Sequence, residues 1–224
     1  MVGLRDRGLM SERTSRWHWN HNSHFHGYLL QRLPPSFERG LEVGCGTGTF
    51  ARTLAGRAGQ LDAIDVEPTV TEAARLHASQ PTNIRWLTGD VLTGDLPLGP
   101  YDVITAIASL HHLPLDQGLG RLADLVRPGG QLTVVGLARA SSWRDYLPAL
   151  ATVPIDPVIG AWKALRRSDR RRTPKPPVPL RNPTTTFAEV ADAARRLLPG
   201  AALRRHISYR YTLIWQEPAT RIGS

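Results

Sequence analysis

The sequence predicts an α/β fold organised around a doubly wound, mostly parallel sheet, and three observations lead to that prediction. Five apolar strand patterns alternate with helical patterns between residues 37 and 137. A glycine-rich turn at residues 44–48 follows the first of these strands directly. The 224 residues suit one such domain with an appendage, and a content of 41% hydrophobic and 21% charged residues is ordinary for a globular protein.

The glycine-rich turn is the strongest functional signal in the chain. Its glycines stand at alternate positions after a strand that contains Leu41 and Val43, so a ligand can lie directly on the main chain. A nucleotide-like cofactor is therefore expected. The dinucleotide fingerprint G-x-G-x-x-G would need a glycine in place of Thr49. The carboxylate of Glu42 would repel a bound phosphate, whereas it would attract a cationic ligand.

The segment from Leu41 to Phe50 resembles the first motif of the class I S-adenosylmethionine-dependent methyltransferases. S-adenosylmethionine carries an amino group and a sulfonium and has no phosphate, which agrees with an acid just before the turn. The resemblance covers residues 17–217. It implies S-adenosylmethionine as the cofactor and a Rossmann-like methyltransferase fold of seven strands, the last of them antiparallel. Within this motif, the residues that it assigns to the cofactor are Glu42, Gly44, Cys45, Gly46 and Gly48.

Residues 1–33 are expected to cap the cofactor site. A stretch rich in histidine and aromatic residues runs from Trp17 to Tyr28, and Pro34 ends the helix predicted for it. In similar methyltransferases an N-terminal helix lies there and contacts cofactor or acceptor. Closely spaced histidines can also bind zinc, but without a cysteine pair or an HExxH pattern we predict no metal. The candidate residues on the substrate side are His21, His24, His26 and Tyr28.

Acidic residues follow the next two predicted strands. Asp65 lies at the end of the strand at 61–66, where a carboxylate can accept hydrogen bonds from both ribose hydroxyls. Its alternative role is to cap the helix predicted for residues 68–78. Asp90 follows a third strand, and the resemblance implies that it binds the exocyclic amine of adenine. The other residues assigned to the cofactor are Val66, Val91 and Ala106.

Two adjacent histidines follow the fourth predicted strand, residues 101–106. Ligands of open α/β sheets bind beyond the carboxyl ends of the strands, so His111 and His112 are placed to contact the acceptor. Either imidazole could take a proton from a phenol or an alcohol, and both are therefore candidate catalytic residues. The run 110–113 also resembles a pattern of small-molecule methyltransferases that is often architectural, and this alternative stays open.

The rest of the chain completes the cofactor-binding core, residues 34–137, and adds an insertion. A turn at 127–130 is predicted to lead into the fifth strand. Residues 138–186 are basic and proline-rich, and we expect them to fold over the site as a lid after that strand. A closing helix and the last two strands of the same domain are predicted within residues 187–217. The lid residues considered for the acceptor side are Trp143 and Tyr146.

The net charge of +9 favours anionic partners such as nucleic acid, a membrane surface or a phosphorylated substrate. Methyltransferases that act on base nitrogens carry an Asn/Asp-Pro-Pro-aromatic motif after the fourth strand, whereas this chain has Thr105-Ala106-Ile107-Ala108 there. Nucleic acid is therefore not the expected partner. The sequence shows neither a signal-peptide pattern nor a membrane span, so we expect a cytoplasmic protein that is able to associate with a membrane surface. It does not predict the oligomeric state.

These patterns predict a methyltransferase that uses S-adenosylmethionine to methylate a small-molecule acceptor at oxygen, nitrogen or carbon, either in bacterial secondary metabolism or on an apolar, lipid-like acceptor. A nucleic-acid methyltransferase and a non-catalytic protein that binds S-adenosylmethionine remain as alternatives. Glu42 and Thr49 disfavour a nicotinamide-dependent oxidoreductase. The single cysteine, Cys45, is interpreted as a small packing residue, because no base adjacent in sequence would activate it.

Overall fold

The computed structural model describes residues 21–77, 81–93, 99–139, 183–206 and 209–219. In this part of the chain, helices flank both faces of a seven-stranded sheet. The strands are β1 (Phe37–Val43), β2 (Ala58–Asp65), β3 (Ile84–Thr88), β4 (Tyr101–Ile107), β5 (Val126–Leu137), β6 (Ala202–Arg205) and β7 (Arg210–Gln216). The helices are α1 (His21–Leu30), α2 (Thr49–Leu54), α3 (Pro68–Arg75), α4 (Leu115–Leu125) and α5 (Phe187–Leu197), and a 3₁₀ turn covers Leu110–His112.

The strand order is β3-β2-β1-β4-β5-β7-β6. Neighbouring strands from β3 to β5 are parallel, whereas β7 runs antiparallel to both β5 and β6. This confirms the predicted doubly wound, mostly parallel sheet of seven strands. The order reverses at β1, because the chain passes to β2 on one side of it and later to β4 on the other. In such a sheet the ligand crevice lies beyond the carboxyl end of β1.

An apolar cluster on each face of the sheet holds the helices in place. On one face, α4 and α5 pack through side chains that include Leu119, Leu122 and Val190. On the other face, α1 and α2 pack through side chains that include Phe25 and Leu29. These two residues are four apart and therefore share one side of α1. Each fully buried side chain of this size contributes about 1.5–3 kcal/mol, so α1 is anchored over the sheet by its own apolar side.

A buried carboxylate links three strands below the crevice. Asp62 on β2 is 6% exposed, and its two oxygens accept hydrogen bonds from the guanidinium of Arg85 on β3, both at 2.7 Å. The hydroxyl of Tyr101 on β4 donates to the same carboxylate at 2.5 Å. Burial raises the pKa of Tyr101, and the bond to Asp62 raises it further. Because the buried charge is paired and hydrogen-bonded, the network joins β2, β3 and β4 without leaving an unsatisfied carboxylate.

The structure differs from the predicted elements at the start of β5. Residues 127–130, predicted as a turn, belong to this strand. The backbone N–H of Gly129 donates to the carbonyl of Glu217 at 3.0 Å, and the N–H of Glu217 donates to Gly130 at 2.9 Å. The register against β4 shifts across this segment and Gly129 has a φ of 77°, so the Arg-Pro-Gly-Gly residues form a bulge in β5 that pairs with the chain beyond β7. The helix predicted for residues 68–78 ends at Arg75.

The predicted lid, residues 138–186, lies largely outside the described part of the chain, as do Trp143 and Tyr146. Its two described ends lie side by side, because the N–H of Arg139 donates to the carbonyl of Thr185 at 2.7 Å. Thr186 then begins α5 with a capping box in which its hydroxyl accepts from the backbone of Glu189. Among the described helices, none combines the length and the hydropathy that a membrane crossing requires.

Candidate active site

The glycine-rich turn connects β1 to α2 at the carboxyl edge of the sheet. Gly44, Gly46 and Gly48 have φ angles of 73°, 53° and 72°, in the left-handed region that favours glycine. A Cβ at Gly44 would lie 2.3 Å from the Cβ of Ser109, and one at Gly48 would lie 2.2 Å from the Trp86 ring. A Cβ at Gly46 would meet no described atom within 4 Å. Gly46 therefore presents bare main chain to the crevice, where a ligand can rest on it.

Glu42 lies one residue before the end of β1 and is 2% exposed. Its Oε2 atom is buried, and no group in the described residues donates a hydrogen bond to it. Burial raises the pKa of this carboxyl well above its ordinary value, and the nearby charge of Asp65 raises it further, whereas Arg52 opposes the shift. A buried carboxylate that lacks a donor is best completed by a cationic group. Glu42 therefore fits an amine of the ligand.

Arg52 was not predicted from the sequence. It lies on α2, where its Nη2 donates to the carbonyl of Thr47 at 2.8 Å, and its buried Nη1 has no acceptor in the described part of the chain. Its charge favours the ionised form of Glu42. One signal in the sequence could have identified Arg52, which lies four residues after Gly48. Side chains near the start of a helix lean back towards its N-terminus, so Arg52 would be expected near the glycine-rich turn.

Asp65 ends β2 and borders the turn. Its Oδ2 accepts a hydrogen bond from the backbone N–H of Gly46 at 2.8 Å, and its Oδ1 accepts from that of Glu67 at 3.0 Å. The residue that caps α3 is Glu67, whose carboxylate accepts from the N–H of Thr69. The alternative of Asp65 as the helix cap is thus wrong. Each carboxylate oxygen has a second lone pair for a ligand hydroxyl.

Asp90 and Val91 follow β3, as predicted. The Oδ1 of Asp90 accepts from the backbone N–H of Leu92 at 2.9 Å. The side chain of Val91 is 4% exposed and its carbonyl accepts from Arg121 at 3.1 Å. Ala106 is fully buried in β4, whereas Val66 is 70% exposed beside Asp65. The side chains of Val91 and Ala106 are therefore covered, whereas the side chain of Val66 is open to a ligand.

The loop after β4 is fastened to the end of β1. Ala108 adopts a φ of 53°, and the hydroxyl of Ser109 donates to the carbonyl of Val43 at 2.6 Å. The 3₁₀ turn that follows carries both candidate histidines, whose ring centroids are 4.1 Å apart. His111 is half-buried and His112 is exposed. The structure thus places His111 and His112 at the same edge of the sheet as the glycine-rich turn.

Helix α1 presents its two described candidate residues in different directions. The ring of His26 lies 4.8 Å from that of Phe50, at the start of α2, and burial lowers the pKa of His26. The ring of Tyr28 instead lies 5.4 Å from that of His206 and under the guanidinium of Arg32. The side chains of His21 and His24 lie outside the described residues. His26 is therefore the described histidine of α1 nearest to the glycine-rich turn.

The described groups fit S-adenosylmethionine better than a phosphate-bearing cofactor. The orphaned carboxylate of Glu42 suits the amino group, and the open main chain at Gly46 leaves room for the ligand. The acids at the ends of β2 and β3 suit neutral or cationic groups and would repel phosphates. Among the described residues, no cluster of three or more His, Cys, Asp or Glu side chains could hold a metal ion.

Cys45 lies within the turn, and burial raises the pKa of its thiol, with Glu42 and Asp65 adding to the shift. A thiol that resists ionisation is a poor nucleophile. This agrees with its interpretation as a small packing residue.

A family model described as a methyltransferase domain matches residues 41–130. The chain is 33% identical over 211 residues to an uncharacterized methyltransferase of Mycobacterium tuberculosis, and the match covers 89% of this chain and 98% of that protein. It is also 33% identical over 116 residues to the ubiquinone biosynthesis O-methyltransferase of Xanthomonas axonopodis pv. citri, covering 50% of this chain and 48% of that one.

A solved structure with a similar fold is the N-methyltransferase NodS from Bradyrhizobium japonicum in complex with S-adenosylhomocysteine. It has a TM-score of 0.59 and 18% identity, and the alignment covers 91% of each chain. The glycine-rich turn, the sheet order and the sequence relatives all indicate the same family. The chain belongs to the class I S-adenosylmethionine-dependent methyltransferases, and its methyl donor is S-adenosylmethionine.

Proposed function

We propose that this protein methylates a small-molecule acceptor at an oxygen, nitrogen or carbon atom. The observation that carries the proposal is the hydrogen bond from Ser109 to Val43, which fixes the turn with His111 and His112 beside the glycine-rich turn. Groups for an acceptor and groups for the donor therefore border one crevice. The fourth strand continues into Ile107 and Ala108, without the Pro-Pro-aromatic motif of enzymes that methylate base nitrogens.

The names of two relatives support a small acceptor. One is an O-methyltransferase of ubiquinone biosynthesis and the other is an N-methyltransferase. They also show that likeness to this family does not choose between oxygen and nitrogen. The setting that we propose for the reaction is bacterial secondary metabolism, as the sequence predicts.

The chain's own residues contribute mainly by positioning. S-adenosylmethionine supplies a methyl group that is already activated by a positive sulfur, so alignment in a crevice that excludes water is the main requirement. We assign the amino end of the donor to Glu42, the ribose to Asp65 and the adenine to Asp90. Arg52 favours the ionised form of Glu42, because its charge opposes the effect of burial on that carboxyl.

A proton acceptor is needed only for some acceptor groups. For a phenol or an alcohol we assign this role to His111 or His112, which lie at the end of β4. His26 is a second candidate, because its lowered pKa keeps the imidazole neutral and able to accept a proton at neutral pH. A carboxylate acceptor would need none of them.

The proposal is tested by measuring S-adenosylhomocysteine formation with a panel of phenols, amines and carboxylic acids, beside a separate arm with RNA. Calorimetry with S-adenosylmethionine shows independently that the donor site is intact. We expect turnover with at least one class of small molecule. Turnover with RNA alone would support the nucleic-acid alternative, and donor binding without turnover in any arm would support a non-catalytic protein.

A further inference from the structure

Three residues from neighbouring strands form a row at the carboxyl edge of the sheet. Leu137, the last residue of β5, pairs directly with Arg210, the first residue of β7. On the other side of β7, the backbone N–H of His206 donates to the carbonyl of Arg210 at 2.8 Å, which continues the pairing of β6. Residues opposite one another in antiparallel strands project to the same face. Leu137, Arg210 and His206 therefore share one face of the sheet.

That face is the one covered by α1. Tyr211, the next residue along β7, projects to the opposite face, where its ring fills the space beside Gly136. The ring of His206 lies 5.2 Å from Phe25 and 5.4 Å from Tyr28, both on α1. The row thus lies beside helix α1 at the carboxyl edge of the sheet.

His206 is held in a fixed orientation within this row. Its Nε2 lies 2.9 Å from the hydroxyl of Thr212, which is 1% exposed, and both aromatic contacts are nearly perpendicular, at 80° and 85°. Such edge-to-face pairs are favourable arrangements of aromatic rings. The imidazole of His206 is therefore fixed in position next to Arg210.

Arg210 is half-buried, and burial lowers the pKa of its guanidinium. An arginine nevertheless stays charged at neutral pH. A charge that has lost part of its hydration gains most from an anionic neighbour, and the planar guanidinium fork matches the oxygens of a carboxylate or a phosphate. The chemistry of this position is therefore that of an anion-binding residue.

The row is separated from the donor side of the crevice. In the sheet order, β4 and β5 lie between β1 and β7, so β7 is three strand spacings, or about 14 Å, from the strand that ends at the glycine-rich turn. An elongated acceptor with one anionic end would therefore be oriented with that end at Arg210, on the β7 side.

We infer that Arg210, flanked by His206, binds a carboxylate or phosphate group of the acceptor and holds that group on the β7 side of the atom that is methylated. The anionic group is thus a recognition element and not the site of methylation. This inference rests on the proposed function, because it names the class of small molecule that the enzyme accepts. It also gives the positive charge of Arg210 a role in specificity.

The test uses full-length protein saturated with S-adenosylhomocysteine and titrated with matched pairs of probes. The pairs are benzoate and benzyl alcohol, octanoate and octanol, and phenyl phosphate and phenol. The variants are Arg210→Gln, Arg210→Lys and the control Arg205→Gln. Arg205 neighbours the row in sequence but lies over Phe187 on the opposite face, and its replacement removes the same charge.

We expect the wild-type protein to bind the anionic member of at least one pair more tightly than the neutral member. Arg210→Gln should weaken that binding about tenfold or more, which is the loss of one charge-assisted pair of hydrogen bonds. The affinity of Arg210→Lys for the anionic probe should lie between those of the wild type and Arg210→Gln, because lysine keeps the positive charge but lacks the planar guanidinium. Arg205→Gln and the neutral probes should show no change. The carboxylate and phosphate arms identify which anion is preferred.

The inference is overturned if the wild type prefers no anionic probe, or if Arg210→Gln and Arg205→Gln bind the anionic probes equally well. Unchanged affinity for S-adenosylhomocysteine in each variant shows that the protein has folded with an intact donor site. Methyl transfer is scored separately. Transfer only to neutral acceptors would overturn this inference and leave the proposed function standing. Anion binding at Arg210 without transfer to any small molecule would overturn the proposed function, and would leave Arg210 as an anion site but not as an acceptor site.

Discussion

Ser109 occupies the space that a side chain at Gly44 would need. A Cβ built on Gly44 would lie 2.3 Å from the Cβ of Ser109, and the Ser109 hydroxyl donates to the carbonyl of Val43 at 2.6 Å. The turn after β1 and the loop after β4 are therefore packed against each other as one unit. Because the first borders the space assigned to the donor and the second carries His111, this contact sets the spacing between the two halves of the proposed site.

Gly44→Ala is expected to destabilise the fold. The added methyl group must displace Ser109, and the φ of 73° is unfavourable for alanine. Overpacking and backbone strain together should cost about 2–4 kcal/mol, which urea denaturation would measure. A free energy of unfolding equal to that of the wild type would show that the two loops are not in contact.

Gly46→Ala is expected to fold and to lose the donor. The new Cβ would meet no described atom within 4 Å, so only the strain of a positive φ remains, about 1 kcal/mol. The methyl group would project into the space assigned to S-adenosylmethionine. Calorimetry should show affinity reduced by about tenfold or more, since the close approach to the main chain is lost. Tight binding in this variant would place the ligand elsewhere.

Glu42→Gln is expected to weaken donor binding while it stabilises the protein without ligand. The amide keeps the shape of the carboxyl but cannot form a charged pair with an amine, and the loss should be about tenfold or more. The folded-state pKa of Glu42 is raised above its ordinary value of 4.5. The unliganded wild type should therefore lose stability as the pH rises from that value through the raised pKa, whereas the variant should not.

The same carboxyl predicts the pH dependence of donor binding. Affinity of the wild type should rise with pH as Glu42 ionises, because the cationic amine binds the charged form. The affinity of Glu42→Gln should be flat over the same range. Calorimetric titrations at several pH values provide the measurement. Parallel pH profiles for the two proteins would mean that another group controls binding.

Much of the fold was predictable because its signals are local. The apolar strand ending at Val43, the alternating glycines and the acid at Asp65 are each readable from neighbours in sequence, and the structure places them around one crevice. The start of β5 was not predictable in this way. Gly129 and Gly130 are typical of a turn, and their inclusion in β5 as a bulge depends on pairing with Glu217, far along the chain.

The proposed site residues that sequence reasoning missed depend on tertiary contacts. Arg52 was missed because its effect on Glu42 depends on how α2 folds back over β1. Arg210 and His206 were missed because their shared face follows from the register of β6, β7 and β5. A basic residue in a strand has no distinguishing pattern until its cross-strand neighbours are known.

Tyr101→Phe tests the buried network below the crevice. The variant keeps the ring but removes the hydroxyl that donates to Asp62, and Arg85 continues to pair with that carboxylate. The lost hydrogen bond should lower the free energy of unfolding by about 1–3 kcal/mol. Tyr211→Phe is the matched control, because Tyr211 is equally buried and its hydroxyl has no hydrogen bond with another described residue. Equal effects in the two variants would mean that the bond to Asp62 contributes little.

Asp65→Ala is expected to reduce the affinity for S-adenosylmethionine by about tenfold or more, since the assigned bonds to two ribose hydroxyls are lost. The same carboxylate holds the N–H of Gly46, so the glycine-rich turn should also become less well fixed. Asp65→Asn separates the two effects. Its amide oxygen can still accept the hydrogen bond from the N–H of Gly46, but its amide nitrogen cannot accept a hydrogen bond from a ribose hydroxyl. Donor affinity is measured by calorimetry for both variants.

Glu67→Gln is the control for this pair. Glu67 lies two residues away and caps α3, so its replacement changes a neighbouring charge without touching the groups assigned to the ribose. We expect it to leave donor affinity unchanged. If Asp65→Ala binds the donor as tightly as Glu67→Gln does, the ribose assignment is wrong. If Asp65→Asn binds normally while Asp65→Ala does not, Asp65 acts only by holding the turn at Gly46.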